Sequence, residues 1–441
     1  MGDKKDKGLG AISTSWLGRN AKSSAMALKV AATMGTGAIK RAVSGGEGQA
    51  DKEAAAALEL LTTMGQLKGA VMKVGQMISY MDTALPESWR GHLEDLQDRT
   101  PPVDPESVAR LIEAELGRRP EALFARWEPM PFAAASIGQV HRATDLEGRE
   151  VAVKVQYPGI VKALKSDLRN ASIVNAITGP AFRAVDSKGI VGEIRDRLLE
   201  ECDYRQEADN LDHFAALWAK EPMVAFPEVV RELSTERVLT TGFVDGLRFK
   251  DFAASASQAE RDAAGRTIFR LAFGSIFKHL IFNCDPHPGN YLFRDGEVVF
   301  LDFGCVKRFD QGFVDGWKAL MRAALENDRP RFDHLMRASG MAKEGFDYAH
   351  HFEIVRYLYR PWLHDRPFRY THTYVSESFR LMIGDNPNKF KMDMPRDWVF
   401  VNRLQWGLNS VLASLEAEGD WRSIMLDLIY APGEPRPAPF P

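Results

Sequence analysis

Asp285 and Asn290 stand within "CDPHPGN" at 284–290, and Asp302 follows within "LDFG" at 301–304. Carboxylate and amide oxygens are ligands for a hard divalent cation such as Mg2+. Transfer or hydrolysis of a phosphoryl group needs such a cation, a fixed positive side chain on the phosphate oxygens, and a carboxylate that positions the nucleophile. The positive side chain lies upstream as Lys154, in the apolar run "VAVKVQ". Lys154, Asp285, Asn290 and Asp302 are the residues that could meet those needs, and their spacing suggests a metal-bound nucleotide site. Each residue alone carries little weight, since a strand lysine often lays its stem on apolar surface with its head in water. The order of all four carries the signal.

The surrounding pattern supplies elements that could position them. Asn290 precedes the strand-like "YLF" and Asp302 ends "VVFL", so a hairpin turning at Asp295-Gly296 brings both metal ligands to one end. "AASIGQVHRATDLEGREVAVKVQY" reads as another hairpin with a glycine-containing turn. Between them, "GEIRDRLLEECDYRQEADNLDHFAAL" has helical spacing, with Asp203 and Glu207 at i and i+4 on one face. Glu207 is the candidate carboxylate partner of Lys154. Glu201 falls off that face unless the helix is distorted, and its alternative reading is a solvated charge.

Upstream, Leu58, Leu61, Met64, Leu67, Val71, Val74, Ile78 and Met81 recur every three or four positions, predicting a helix that ends near Pro86. "TPPVDPESVARLIEAELG" predicts a second helix with Asp104 as N-cap, Pro105 in the first turn and Gly117 as the stop. Composition divides the chain into a Lys- and Gly-rich segment 1–50, a helical part 51–125, a mixed part 126–245, a mainly helical part 246–430 and a Pro-rich tail 431–441, disordered or laid on the surface. Residues 21–42 carry Lys22, Lys29, Lys40 and Arg41 among small apolar residues, and read either as a membrane-surface helix or as one packed on its own protein.

Lys plus Arg number 57 against 60 Asp plus Glu, a formal net charge of −3, which gives no global field for nucleic acid. Three cysteines, Cys202, Cys284 and Cys305, lack the spacing of a zinc site or a disulfide framework and fit a reducing, cytoplasmic compartment. No apolar run is long enough to span a bilayer and no signal peptide is legible, so the expectation is a cytoplasmic protein or one peripheral on the inner face of a membrane.

"VAVKVQ", "DPHPGN" and "DFG" resemble the phosphate-binding strand, catalytic loop and metal-binding segment of protein kinases, which implies Lys154 and Asp285 as catalytic residues, Asn290 and Asp302 as metal ligands, and ATP or ADP with Mg2+ as cofactors. The loop expected to cover the phosphates is instead "AAASIGQV", with Ala133 and Ala135 where a kinase carries glycines, and with Ala134, Ser136, Gly138 and Val140 completing the candidate nucleotide-binding set. Methyl groups there restrict the backbone and its approach to phosphate.

Together with "KVGQ" at Lys73, Gly75 and Gln76, "ALPESWRGHLEDLQDRTPP" and "ECDY", these motifs are similar to the UbiB/ADCK family of atypical kinases. The resemblance implies an α+β, bilobal kinase-like fold: an N-lobe over 126–245, a C-lobe over 246–430, and a helical extension whose Lys73 helix folds over the active site. It also implies a Glu-x-Asp motif at Glu201 and Asp203, Glu207 as the lysine partner, and ATP hydrolysis in support of ubiquinone, other prenyl-quinone or lipid metabolism. Expected partners are nucleotide, a lipid or prenyl-quinone precursor, a membrane surface, and a second copy or quinone-biosynthesis proteins. Two departures stand out. Cys284 occupies a position where alanine is more usual, reading as a small buried residue or a reactive thiol, and the C-terminal part lacks the paired membrane spans of some bacterial members. His287 reads as orienting Asp285 or as capping the loop. The competing readings are a nucleotide-gated lipid-binding scaffold and an aminoglycoside or choline kinase relative; the latter leaves the Lys73 motif unexplained.

Overall fold

The computed structural model of the protein describes residues 103–162 apart from 136, and 200–440 apart from 394. The expected extension with Lys73, Gly75 and Gln76, the segment 21–42 and the interval 163–199 lie outside the described residues. In chain order the first elements are α1 (Pro105–Leu116), α2 (Pro120–Leu123), β1 (Phe124–Trp127), β2 (Ala133–Ala134), β3 (Gly138–Asp145), β4 (Glu150–Gln156), α3 (Tyr204–Trp218), β5 (Val224–Ala225), β6 (Val238–Gly242) and β7 (Leu247–Arg248). Then come α4 (Phe249–Ser255), α5 (Gln258–His279), β8 (Ile281–Asn283), β9 (Tyr291–Arg294), β10 (Glu297–Phe300), β11 (Val306–Arg308), α6 (Gln311–Leu325), α7 (Arg329–Ala338) and α8 (Tyr348–Leu358). The last are α9 (Arg360–Leu363), β12 (Phe368–Arg369), α10 (His372–Phe379), α11 (Arg396–Ser414), β13 (Glu418–Gly419) and α12 (Trp421–Ile429). The fold is α+β, as expected. The described residues form two units, one of 103–162, 200–209 and 228–243, the other of 210–227 and 244–440.

In the first unit an antiparallel sheet runs β1-β3-β4-β6, with β2 paired to β3. Strand β4 alternates: Val151, Val153 and Val155 are fully buried, in one cluster with Val108, Leu111 and Ile112 of α1 and Val238 of β6. Helix α1 is delimited by its own sequence, for Asp104 accepts the Ser107 amide, Pro105 opens the first turn and Gly117 closes the helix in a left-handed conformation. The boundary expected at 125/126 cuts through β1, and 105–123 belongs to the core of the sheet. The apolar stripe of α1 has to be covered, and the valine face of β4 covers it. The boundary expected at 245/246 lies close to the observed 243/244, but residues 210–227 group with the second unit.

In the second unit, β9 and β10 form the expected hairpin, with Asp295 and Gly296 at φ 50° and 82°. Strand β5 pairs with β10, β7 with β9, and β8 with β11. Helix α5 starts at a capping box between Ser257 and Glu260 and is the aromatic spine: Phe269 lies 5.1 Å from Trp421, Phe273 5.6 Å from Trp362 and Phe277 5.0 Å from Trp317. The Pro-rich tail is laid on this unit. Arg322 forks onto Glu434 at 2.7 and 2.8 Å, Arg422 donates to the Pro437 carbonyl, and the Phe440 amide donates to the Leu363 carbonyl at 2.9 Å.

His351 of α8 is 4% exposed, with Phe346 and Phe332 beside it at 5.2 and 6.1 Å between ring centroids. Burial, assisted by His350, pushes its pKa down to about 4 from 6.5. Between those values the unfolded chain binds a proton that the fold excludes. The stability tied to neutral His351 is therefore complete above 6.5 and falls by about 1.4 kcal/mol per pH unit on acidification. Urea unfolding at about pH 7.5 and about pH 5 should show a smaller acid loss for His351→Phe than for the wild type; equal losses would show that His351 does not carry it.

Candidate active site

Strand β4 places Lys154 on the face opposite its three valines. Directly opposed residues of neighbouring strands share a face, and Ala133, Val140 and Lys154 are successive partners across β2, β3 and β4. Glu207, in the first turn of α3, is 3% exposed, and its carboxylate receives the Lys154 ammonium at 2.7 and 3.0 Å. The ammonium also lies 5.0 Å from the Tyr204 ring. The lysine and carboxylate paired by sequence are thus in contact.

The alanine loop is tight. The Ala135 amide donates to Gly138 O at 2.9 Å, and a Cβ on Gly138 would fall 2.3 Å from the Val155 carbonyl oxygen and 2.9 Å from the Tyr204 hydroxyl. Only glycine lets β3 start this close to β4 and α3. Ala133 and Ala134 are residues of β2 rather than of an open loop, and Ser136 lies outside the described residues.

One expectation is corrected here, and one alternative is ruled out. Asp203 does not share a helix face with Glu207, because α3 begins at Tyr204; its side chain accepts the Arg205 amide at 3.0 Å and its carbonyl accepts the Glu207 amide. A short acidic side chain bonds more readily to the orphan amides of a helix start than within a helix, which ends the predicted continuity there. Glu201 is not a solvated charge: it is 7% exposed, in the turn before α3.

In the second unit, Asp285 follows β8 and is 7% exposed. Asn290 donates its Nδ2 to the Asp285 carbonyl at 2.9 Å and to the carboxylate Oδ2 at 3.3 Å. With its amide nitrogen so used, the Asn290 oxygen is the atom that can meet a cation. Asp302 takes the Gly304 amide on Oδ1 at 3.0 Å. The next residue, Phe303, is fully buried, 4.6 Å from Phe214 and 5.6 Å from Phe226, and Asn210 donates to its carbonyl at 3.1 Å. His287 accepts the Gly289 amide on Nδ1 at 3.0 Å, so it caps the loop. Cys284 is fully buried. The Tyr291 hydroxyl has its pKa raised by burial and, secondarily, by the charge of Asp285.

Two contributors escaped the sequence reading. Asn283 donates Nδ2 to the Asp302 carbonyl at 2.8 Å and accepts the Asp285 amide on Oδ1 at 3.3 Å, joining the two acidic segments through one side chain. Gly407 of α11 is the seat of Pro286, where a Cβ would fall 2.5 Å from the proline ring. The signal for Gly407 was a mid-helix glycine, which asks for a packing reason. Asn283 carried only its closeness to Asp285.

Among the described residues no cluster of three or more His, Cys, Asp or Glu forms a metal cage. Asp302 and Asn290 instead offer a sparse oxygen set, which suits Mg2+, an ion that keeps waters and takes phosphate oxygens from its substrate. The ion pair of the first unit is open to a direct test. Lys154→Met removes the cation from a buried carboxylate and should cost about 3 kcal/mol in urea unfolding, most of it recovered in Lys154→Met with Glu207→Leu. A single variant as stable as the wild type would show that the pair holds nothing.

Residues 95–336 match the model of the ABC1 atypical kinase-like domain. The chain is 31% identical over 350 residues to the atypical kinase COQ8B, mitochondrial, of Rattus norvegicus, covering 76% of this chain and 66% of that protein. It is 32% identical over 288 residues to the atypical kinase coq-8, mitochondrial, of Caenorhabditis elegans, covering 64% and 38%. The uncharacterized protein Rv0647c of Mycobacterium tuberculosis is 36% identical over 264 residues, covering 57% and 53%. The matches thus span about two thirds or less of the length of these relatives. Among solved structures, the complex of Rv3197 with erythromycin from Mycobacterium tuberculosis superposes with a TM-score of 0.65 at 29% identity, covering 88% of this chain and 98% of that one. With the kinase-like fold and the motifs already in place, these matches establish that the chain belongs to the ABC1 atypical kinase-like family, in which the UbiB-type proteins stand.

Proposed function

We propose that the protein is a Mg2+-dependent ATPase or small-molecule phosphotransferase of the atypical kinase class, serving prenyl-quinone or lipid metabolism. The observation that carries the reading is the pair of side-chain amides around Asp285. Asn290 holds the carboxylate while keeping its own oxygen for a cation, and Asn283 fixes the same loop to Asp302. Mg2+, held by Asp302 and Asn290, would neutralise phosphate charge. Lys154, ion-paired with Glu207, would supply the ammonium for the phosphates of ATP. Asp285 orients the attacking water or acceptor hydroxyl and takes its proton. The link to quinone or lipid chemistry rests on the family alone, as does a membrane surface as partner. No helix among the described residues is long and apolar enough to cross a membrane.

The scaffold reading draws its support from the alanine loop, whose β2 residues and tight turn differ from an open glycine-rich loop. Phosphate release from Mg2+-ATP, with and without anionic liposomes, separates the two. Asp285→Asn should lower turnover by about 10²- to 10⁴-fold while Mg2+-ADP binding persists. A wild-type protein that binds nucleotide and releases no phosphate under either condition would overturn the ATPase reading and favour the scaffold over hydrolysis.

A further inference from the structure

Two cysteines flank the acidic segments of the second unit from opposite strands. Strands β8 and β11 are antiparallel, with Asn283 opposite Val306 and Phe282 opposite Lys307. One step further in the same register lie Cys284 and Cys305, and the Cys284 amide donates to the Cys305 carbonyl at 2.8 Å, so the ladder continues through them. Opposed residues at a hydrogen-bonded position of an antiparallel pair lie about 5.5 Å apart at Cα and share a face. That separation falls within the roughly 4.4–6.8 Å that a disulfide accepts. Both thiols are out of solvent, at 0% and 2% exposure, and Cys202, also buried, lies in the first unit.

We infer that Cys284 and Cys305 form a redox-closable pair that joins the segment of Asp285 to that of Asp302. The oxidant is a peroxide, small enough to reach a buried thiol during local opening of the strand ends. One cysteine sulfur attacks a peroxide oxygen, the O–O bond breaks, and a sulfenic acid and water result. The second sulfur then attacks the sulfenic sulfur, the S–O bond breaks and a second water leaves. Two thiols and one hydrogen peroxide give one disulfide and two waters, and two electrons pass from the sulfurs to the peroxide oxygens. Closing the bond draws opposed Cβ atoms to about 3.8 Å, tighter than an ordinary hydrogen-bonded pair. The residue after Cys284 is Asp285, and Gly304, whose amide holds Asp302, precedes Cys305. The strain therefore falls on the metal and nucleophile positions. A displacement of about 1 Å there is enough for a loss of about 10²-fold.

The bond itself is tested without any assumption about turnover; its effect on activity rests on the ATPase reading above. Folded full-length protein is treated with hydrogen peroxide, alkylated and digested without reductant, and the peptides are mapped by mass. A linked peptide joining Cys284 to Cys305, short of two hydrogens and reopened by dithiothreitol, is expected; it should be absent from Cys284→Ala and from Cys305→Ala. Thiols left unreacted, single-site sulfinic acid, or links to Cys202 would overturn the pair. In parallel, phosphate release by the oxidised wild type should fall about 10²-fold and return with dithiothreitol, while Cys284→Ala is insensitive. A linked protein with unchanged turnover would overturn the regulatory role. Reduced protein that releases no phosphate would defeat the ATPase reading and leave the mapped bond standing.

Discussion

Glu207 is a carboxylate removed almost wholly from water, and the architecture of the first unit follows from keeping it charged. An isolated buried carboxylate is costly by several kcal/mol, and a lysine at hydrogen-bonding distance is what offsets the cost. Lys154 can supply it only from the face of β4 that does not carry Val151, Val153 and Val155. That leaves the valine face to be covered by something else, and α1 covers it. The period of two along one strand thus divides the unit into an apolar side that stabilises and a polar side that holds the ammonium in place. Gly138 belongs to the same constraint, since a side chain there would push β3 away from Val155 and from Tyr204, which begins the helix carrying Glu207.

The second unit meets a different requirement. Its acidic residues have to be held in fixed orientation across two segments, one after β8 and one after β10. Side-chain amides resolve this, for each carries a donor and an acceptor with no net charge. Asn290 restrains the Asp285 carboxylate from one side, and Asn283 ties the backbone of Asp285 to that of Asp302 from the other. Phe303, buried among Phe214 and Phe226, anchors the chain immediately after Asp302. Neutral hydrogen bonds and an aromatic anchor are thus among the contacts that position the two aspartates.

What was legible in the sequence is what is decided locally. The cap at Asp104, the stop at Gly117 and the turn at Asp295-Gly296 each depend on a few adjacent residues, and each stands where the pattern placed it. The Lys154 to Glu207 pairing was legible because its two motifs carry a known chemistry. What was not legible depends on contacts distant in sequence. The run before Asp203 has helical spacing, yet the described helix begins at Tyr204, where the Asp203 carboxylate takes an end amide. The burial of Glu201, the inclusion of α1 in the sheet core and the bridging role of Asn283 all require knowing which segment lies alongside. The tail shows the same limit: proline-rich composition left open whether 431–441 packs, and arginines some way upstream, Arg322 and Arg422, decide that it does.

The family model ends at residue 336, but the loop that carries Asp285 is not supported by residues before that point alone. Pro286 rests on Gly407 of α11, and Phe269 and Phe273 of α5, the helix that leads into β8, pack on Trp421 and Trp362. Arg422, one residue beyond Trp421, is itself 5% exposed and holds the carbonyls of Trp362 and Pro437. A buried guanidinium is stable only when its donors are satisfied, so the tail that supplies one of those carbonyls is part of the same packed arrangement. The segment after 336 is therefore not an appendage to a unit already complete. It forms the far wall of the core on which α5, β8 and the Asp285 loop are set, and changes there would reach that loop through Gly407 and Trp421 without touching an acidic residue.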